Sequence, residues 1–132
     1  MTKTETLPLK QETDIVAIRQ RVRKAAEEAR LGLVSQTKIV TAASEIARNG
    51  LIYGGGGHCV IERTQRDGRA AVRLVISDQG PGIANLDQAM TDGFTSGNGL
   101  GLGLSGARRL VDEFAITSEP GQGTSVELWK WK

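Results

Sequence analysis

The glycines of this chain are spread unevenly: eight of its 17 fall between positions 80 and 106, and four more form the uninterrupted run 54–57. Glycine gives up more conformational freedom on folding than any other residue, so such clusters mark places where backbone bends sharply or approaches something closely. The most regular part is Gly97-Asn98-Gly99-Leu100-Gly101-Leu102-Gly103-Leu104, which opens a stretch with helical spacing. Alternating glycines expose successive backbone amides, and the N-terminus of the following helix adds unsatisfied donors and the positive end of its dipole. The pattern predicts a triphosphate cradle, with a ligand-free glycine hinge as the alternative. It lacks the Gly-Lys-Ser/Thr ending of a P-loop, and it follows a polar loop, whereas a dinucleotide fingerprint sits directly after a first strand.

The rest of the chain supplies a frame for that cradle. Residues 4–10 alternate weakly around Pro8, which reads as an edge strand. Thr13 or Asp14 is expected to cap a first helix, which buries Ile15, Ile18, Val22, Ala25, Ala26 and Ala29 and ends near Gly32. Ser35 is expected to cap a second helix reaching about Tyr53, with Ile39, Ala42, Ala43, Ile46 and Ala47 in its apolar stripe. Two strands over 59–64 and 71–77 follow, joined by an Asp67-Gly68 turn. Residues 83–99 read as a long surface loop with one turn of helix around 86–90. A third helix over 102–114, a strand over 115–118 and a last strand over 124–131 complete the chain. Hairpins in both halves predict the α/β class: a two-layer α/β sandwich with a mixed, mostly antiparallel sheet and three main helices on one face. One domain is expected over 1–132, with 1–12 an edge strand or a flexible start.

Two further constellations carry chemistry. Glu45 and Asn49 lie four residues apart on the second helix, so a carboxylate and a neutral amide stack on one face. That arrangement suits a base beside a Mg ligand, since Mg takes oxygen donors and completes its shell with phosphate and water. A solvated polar helix face is the other reading. Asp78-Gln79-Gly80-Pro81-Gly82 directly follows an apolar strand. A tight turn there lets backbone approach a flat ligand while the carboxylate accepts a hydrogen bond, and an adenine amine fits that acceptor. The same residues also terminate ordinary strands.

Composition removes several classes of function. Hydrophobic residues at 39% and charged residues at 24% are those of a globular chain. Seventeen Lys and Arg against fifteen Asp and Glu leave a net charge of +2, too little excess to argue for nucleic acid as a partner. No run nears the roughly 18 apolar residues of a membrane span, so no membrane partner is expected. Cys59 is the one cysteine and forms no internal disulfide; with no signal-like start, the cytoplasm is the expected compartment.

Taken together, the three constellations resemble the GHKL superfamily of ATPases and kinases. Glu45-x-x-x-Asn49 is similar to its N box, Asp78-x-Gly80-x-Gly82 to its G1 box and Gly99-x-Gly101-x-Gly103 to its G2 box, and Gly123-Thr124 is similar to its final GT element. The stretch Asp14-Ile15-Val16-Ala17-x-Arg19-Gln20, the residues around Glu45, 78–83 and Asp112-Glu113-Phe114 narrow the resemblance to anti-sigma regulatory serine/threonine kinases, the stressosome switch kinases among them. The resemblance implies a Bergerat ATP-binding fold, and Mg-ATP as the nucleotide. It implies phosphorylation of Ser or Thr on STAS-domain antagonist or scaffold proteins, and activation of a PP2C-type phosphatase on release. Residue by residue, it implies Glu45 as the base and Asn49 as the Mg ligand. It assigns adenine to Asp78 with Thr124 supporting it, shaping of the adenine side to Gly80 and Gly82, and the phosphates to Gly99, Leu100, Gly101 and Gly103. An anti-sigma factor or nucleotide-dependent binding switch of the same fold, with little phosphotransfer, is the alternative. Self-association as a homodimer stays open.

Overall fold

A computed structural model describes residues 2–52, 54–80, 102–119 and 121–132. In chain order the elements are β1 (Lys3–Leu9), α1 (Glu12–Glu28), α2 (Leu33–Ile52), β2 (Gly57–Arg66), β3 (Arg69–Asp78), α3 (Leu102–Leu110), β4 (Glu113–Glu119) and β5 (Gly123–Trp131). The strands form one five-stranded sheet in the order β1-β2-β3-β5-β4, and every pairing in it is antiparallel. The three helices cover one face, as the alternation of the strands requires.

Successive side chains of a strand point to opposite faces, so the sheet register decides what the helices meet. Cys59 stands opposite Ile76, Ile61 opposite Leu74, and Leu74 in turn opposite Leu128, with Phe114 beyond it. These rows pack under Ile15, Ile18 and Val22 of α1 and Ile39, Ala43, Ile46 and Ala47 of α2 to make a single core. The opposite face holds Trp129 and Trp131. There the Arg66 guanidinium lies 4.6 Å from one ring centroid and 5.5 Å from the other, and it pairs with Glu113 at 2.6 Å. The two tryptophans are thus covered in part by cations of the same face.

Local chemistry moves several boundaries away from the sequence expectation. Helix α1 starts at Glu12, two or three residues earlier than a Thr13 or Asp14 cap predicts, because Asp14 acts from inside the first turn. Its carboxylate accepts the Lys10 and Gln11 N–H groups at 2.8 and 3.1 Å. The helix closes before Gly32. Arg30 takes φ 61°, its N–H donates to the Glu27 carbonyl, and Leu31 N–H reaches back to Ala26 at 3.0 Å, a Schellman turn built without glycine. Helix α2 begins at Leu33, ahead of Ser35. Asp67 and Gly68 turn the β2–β3 hairpin with φ of 51° and 80°, the primed geometry that their residue types favour.

The largest difference concerns α3, which ends at Leu110 although apolar spacing extends to Phe114. Asp112 pulls the chain onto the sheet: its N–H donates to the Trp129 carbonyl at 2.9 Å, and its carboxylate accepts Trp131 N–H at 2.8 Å and faces Lys130 at 3.3 Å. Phe114 is therefore a strand residue, opposite Leu128. The predicted loop 83–99, with its turn of helix, lies outside the described residues.

Cys59 is fully buried, and burial pushes its thiol from an ordinary 9.0 up to about 12. A thiolate is the reactive form, so at pH 8 the native thiol should alkylate about a thousandfold more slowly than in denaturant. Iodoacetamide labelling followed by mass spectrometry checks this; equal native and denatured rates contradict it. Between the unfolded and folded values the native state keeps a proton that the unfolded chain has lost. This group therefore lowers stability as pH rises above about 8.5.

Candidate functional site

The site is assembled around the end of β3. Asp78 is the last residue of that strand, and the register sets it opposite Gly57 on one side, while Ser77 faces Ser125 on the other. Its Oδ1 accepts the Gly80 N–H at 2.9 Å and the Thr124 N–H at 3.3 Å. Both donors are backbone, so they hold the carboxylate still and leave Oδ2 to accept from a ligand. The Thr124 hydroxyl shares a hydrogen bond with Ser118 Oγ at 2.8 Å, and Ser77 and Ser125 share another at 3.0 Å. A recess lined by Ser77, Asp78, Thr117, Ser118, Gln122 and Thr124 opens beside the carboxylate between the ends of β3, β4 and β5.

Glycines make that position possible. A Cβ on Gly54 would collide with the Asp78 carboxyl carbon, and one on Gly80 would collide with the Gly54 backbone. A Cβ on Gly123 would meet the Asp78 carbonyl, and one on Gly57 the Ser77 carbonyl. The end of α2, the start of β2, the start of β5 and the turn after β3 thus converge on one aspartate at separations that only hydrogen side chains permit. Sequence reasoning singled out Gly80 and Thr124 but missed Gly54, Gly57 and Ser118. The glycine run 54–57 was the available signal: it marks a sharp bend or a close approach, but nothing in the sequence ties it to Asp78. In the fold this run is the exit of α2: Gly54 and Gly56 both donate to the Gly50 carbonyl, at 3.1 and 2.9 Å.

Helix α2 carries the second half of the site. Glu45 and Asn49 are successive residues on one face of it, both half-buried. The Asn49 Nδ2 is buried and has no hydrogen-bond partner among the described residues. A buried amide without a partner costs about 1–3 kcal/mol, and a phosphate oxygen or a ligand-bound water would satisfy it. Among the described residues no group of three or more His, Cys, Asp or Glu could hold a metal. The buried Nδ2 is a donor and suits a phosphate or water oxygen, while the amide oxygen of Asn49 is the atom that would hold a cation completing its shell with phosphate and water, as Mg does.

Of the residues expected to form a phosphate cradle, few are among those described. Gly103 lies in the first turn of α3. Gly82, Gly99, Leu100 and Gly101 lie outside the described residues. Helices α2 and α3 pack against each other, so the start of α3 belongs to the same layer as Glu45 and Asn49. No helix among the described residues is long and apolar enough to cross a membrane.

Comparison with known proteins agrees with this fold. The family model described as histidine kinase-, DNA gyrase B-, and HSP90-like ATPase matches residues 34–132. The serine/threonine-protein kinase RsbT of Bacillus subtilis is 45% identical over 120 residues, covering 91% of this chain and 90% of that protein. An anti-sigma F factor of Bacillus licheniformis is 36% identical over 101 residues, covering 71% of this chain and 68% of that protein. Among solved structures, the mycobacterial sensor histidine kinase MprB superposes with a TM-score of 0.59 at 18% identity, over 98% of this chain and 97% of that one. A chain of the SiaB–SiaC complex from Pseudomonas aeruginosa does so with 0.56 at 15% identity, over 98% and 89%. At those identities the structural likeness concerns the fold.

Proposed function

Because the chain belongs to the family of histidine kinase-, DNA gyrase B- and HSP90-like ATPases, we propose that it is an ATP-dependent serine/threonine protein kinase of a partner-switching module. Its substrates on this reading are STAS-domain antagonist or scaffold proteins, and its setting is the cytoplasm, where ATP is available. After release it activates a PP2C-type phosphatase. One observation carries the enzymatic part: a carboxylate and a buried, unpartnered amide stand one turn apart on α2, in the layer that begins the phosphate-binding helix.

The roles follow from the chemistry of each group. Asp78 accepts the adenine amine through Oδ2, while Gly80 and Thr124 fix the carboxylate. Asn49 would hold Mg through its amide oxygen, and a bound Mg would supply positive charge to offset that of the phosphates. Glu45 accepts the proton of the partner's hydroxyl as its oxygen bonds to the terminal phosphorus and the bond to the leaving ADP oxygen breaks. Gly80 and Gly82 shape the adenine side, and Gly99, Leu100, Gly101 and Gly103 wrap the phosphates with backbone amides.

The test is transfer of radiolabel from ATP, with Mg, to STAS-domain proteins encoded by the same source. Labelling of a Ser or Thr is the expected result. The similarity to an anti-sigma F factor supports a second reading, sequestration of a sigma factor with little transfer. ATP binding without labelling of any STAS protein, together with capture of a sigma factor, would establish that one instead.

The glycine packing adds a separate expectation. Gly54→Ala places a methyl group against the Asp78 carboxylate, and ATP affinity should fall at least tenfold by calorimetry. Gly55, at φ 72°, has nothing within 4 Å of where a Cβ would sit. Gly55→Ala should cost about 1 kcal/mol of stability through its left-handed backbone and leave ATP affinity unchanged. Equal ATP affinities for the two variants would show that Gly54 does not position Asp78.

A further inference from the structure

The large hydrophobic side chains that the described residues leave exposed are Val16 at 51%, Leu33 at 72%, Val34 at 68% and Ile52 at 57%. Three of the four belong to α2, at its two ends. Val34, Lys38, Thr41, Glu45, Arg48 and Ile52 are spaced by four, three, four, three and four residues, so they form one stripe along that helix. Apart from half-buried Glu45, every member of the stripe is exposed. It runs for about 27 Å at 1.5 Å per residue, with Glu45 about 16 Å from one end and 10 Å from the other.

The composition of this ridge points to an occupant. Glu45 is the only acidic residue of α2, and Lys38 and Arg48 flank it along the ridge. Isolated exposed hydrophobics need no explanation, but here they bracket the one carboxylate assigned to the chemistry. A second copy of the chain fits poorly. A two-fold contact between antiparallel α2 ridges would set cations against cations. A protein that delivers a hydroxyl to Glu45 must in any case lie over this helix.

We propose that the outward ridge of α2 is the docking track for the protein substrate, which meets it with acidic and apolar side chains on either side of the acceptor hydroxyl. The inference deepens the kinase reading and rests on it for the identity of the partner. Val34 and Ile52 anchor the two ends by burying apolar surface, and Lys38 contributes charge complementarity that steers association. Docking in two places fixes the hydroxyl over Glu45, and it makes recognition depend on residues that ATP does not touch.

The test compares the full chain with the Val34→Ser/Ile52→Ser double variant and with Lys38→Glu, using the STAS-domain protein labelled in the transfer assay. KM for that protein should rise at least tenfold in the double variant and several-fold in Lys38→Glu. The calorimetric Kd for ATP, the thermal midpoint and kcat at saturating partner should stay within about twofold of wild type. An unchanged KM in both variants overturns the proposal. So does a wild-type dimer, seen by sedimentation, that the double variant breaks, because the ridge would then be a contact between copies. If wild type labels no STAS-domain protein, direct binding to each STAS-domain protein encoded by the same source decides. Binding weakened tenfold by the double variant refutes the kinase reading and supports the ridge; equal binding, or none, overturns the ridge as well.

Discussion

Replacing Glu45 by Gln should lower the rate of phosphoryl transfer by about 10²- to 10⁴-fold, the usual contribution of a positioned general base, while leaving ATP affinity within about twofold of wild type. Glutamine keeps the length and shape of the side chain but cannot take the proton of the attacking hydroxyl. Glu45 is half-buried on the exposed ridge of α2 and is not among the groups that fix the Asp78 carboxylate, so the adenine contact should not depend on its charge. Single-turnover transfer to a labelled STAS protein, paired with calorimetry for ATP, checks both halves. Transfer within a few-fold of wild type would remove Glu45 from the base role. A parallel loss of ATP binding would show that its contribution lies in holding the nucleotide.

Asp78→Asn should act at the other end of the ligand, cutting ATP affinity by about a hundredfold or more. Oδ1 of Asp78 is committed to two backbone N–H groups, so an asparagine there keeps its carbonyl oxygen on them and turns its amine outward. The adenine amine then meets a donor where it had an acceptor. One hydrogen bond to a charged group is worth about 1.5–3 kcal/mol, and the opposed donors add to that loss. At 1.4 kcal/mol per factor of ten, a hundredfold is a conservative expectation. Transfer at saturating ATP should recover much of the wild-type rate, which separates this variant from Glu45→Gln. An ATP Kd within threefold of wild type would contradict the assignment of Asp78.

How much of this was legible beforehand depends on how local the cause is. Helices α1 and α2 were readable because the spacing of Ile15, Ile18 and Val22, and of Ile39, Ala43 and Ile46, reflects one helical period that any packing must respect. The Asp67-Gly68 turn was readable because two left-handed residues in succession are a property of those residue types. The end of α3 was not. Periodicity continues through Val111 and Phe114, and the helix stops at Leu110 because Asp112 finds partners on β5, far away in sequence. Arg30 likewise takes a conformation that residue type alone would have assigned to Gly32.

By itself, then, the sequence determined the class of fold, the order of its elements and the three short constellations of carboxylate, amide and glycine, because periodicity, turn chemistry and close spacing are properties of neighbouring residues. The tertiary structure alone decided which glycines pack against Asp78. Gly54 from the exit of α2, Gly57 from β2 and Gly123 from β5 reach it only through the registers of β2 and β5 on β3. A slip of one residue in either register would turn alternate side chains to the other face and move those backbone atoms by more than 3 Å, further than any hydrogen bond to the carboxylate would survive.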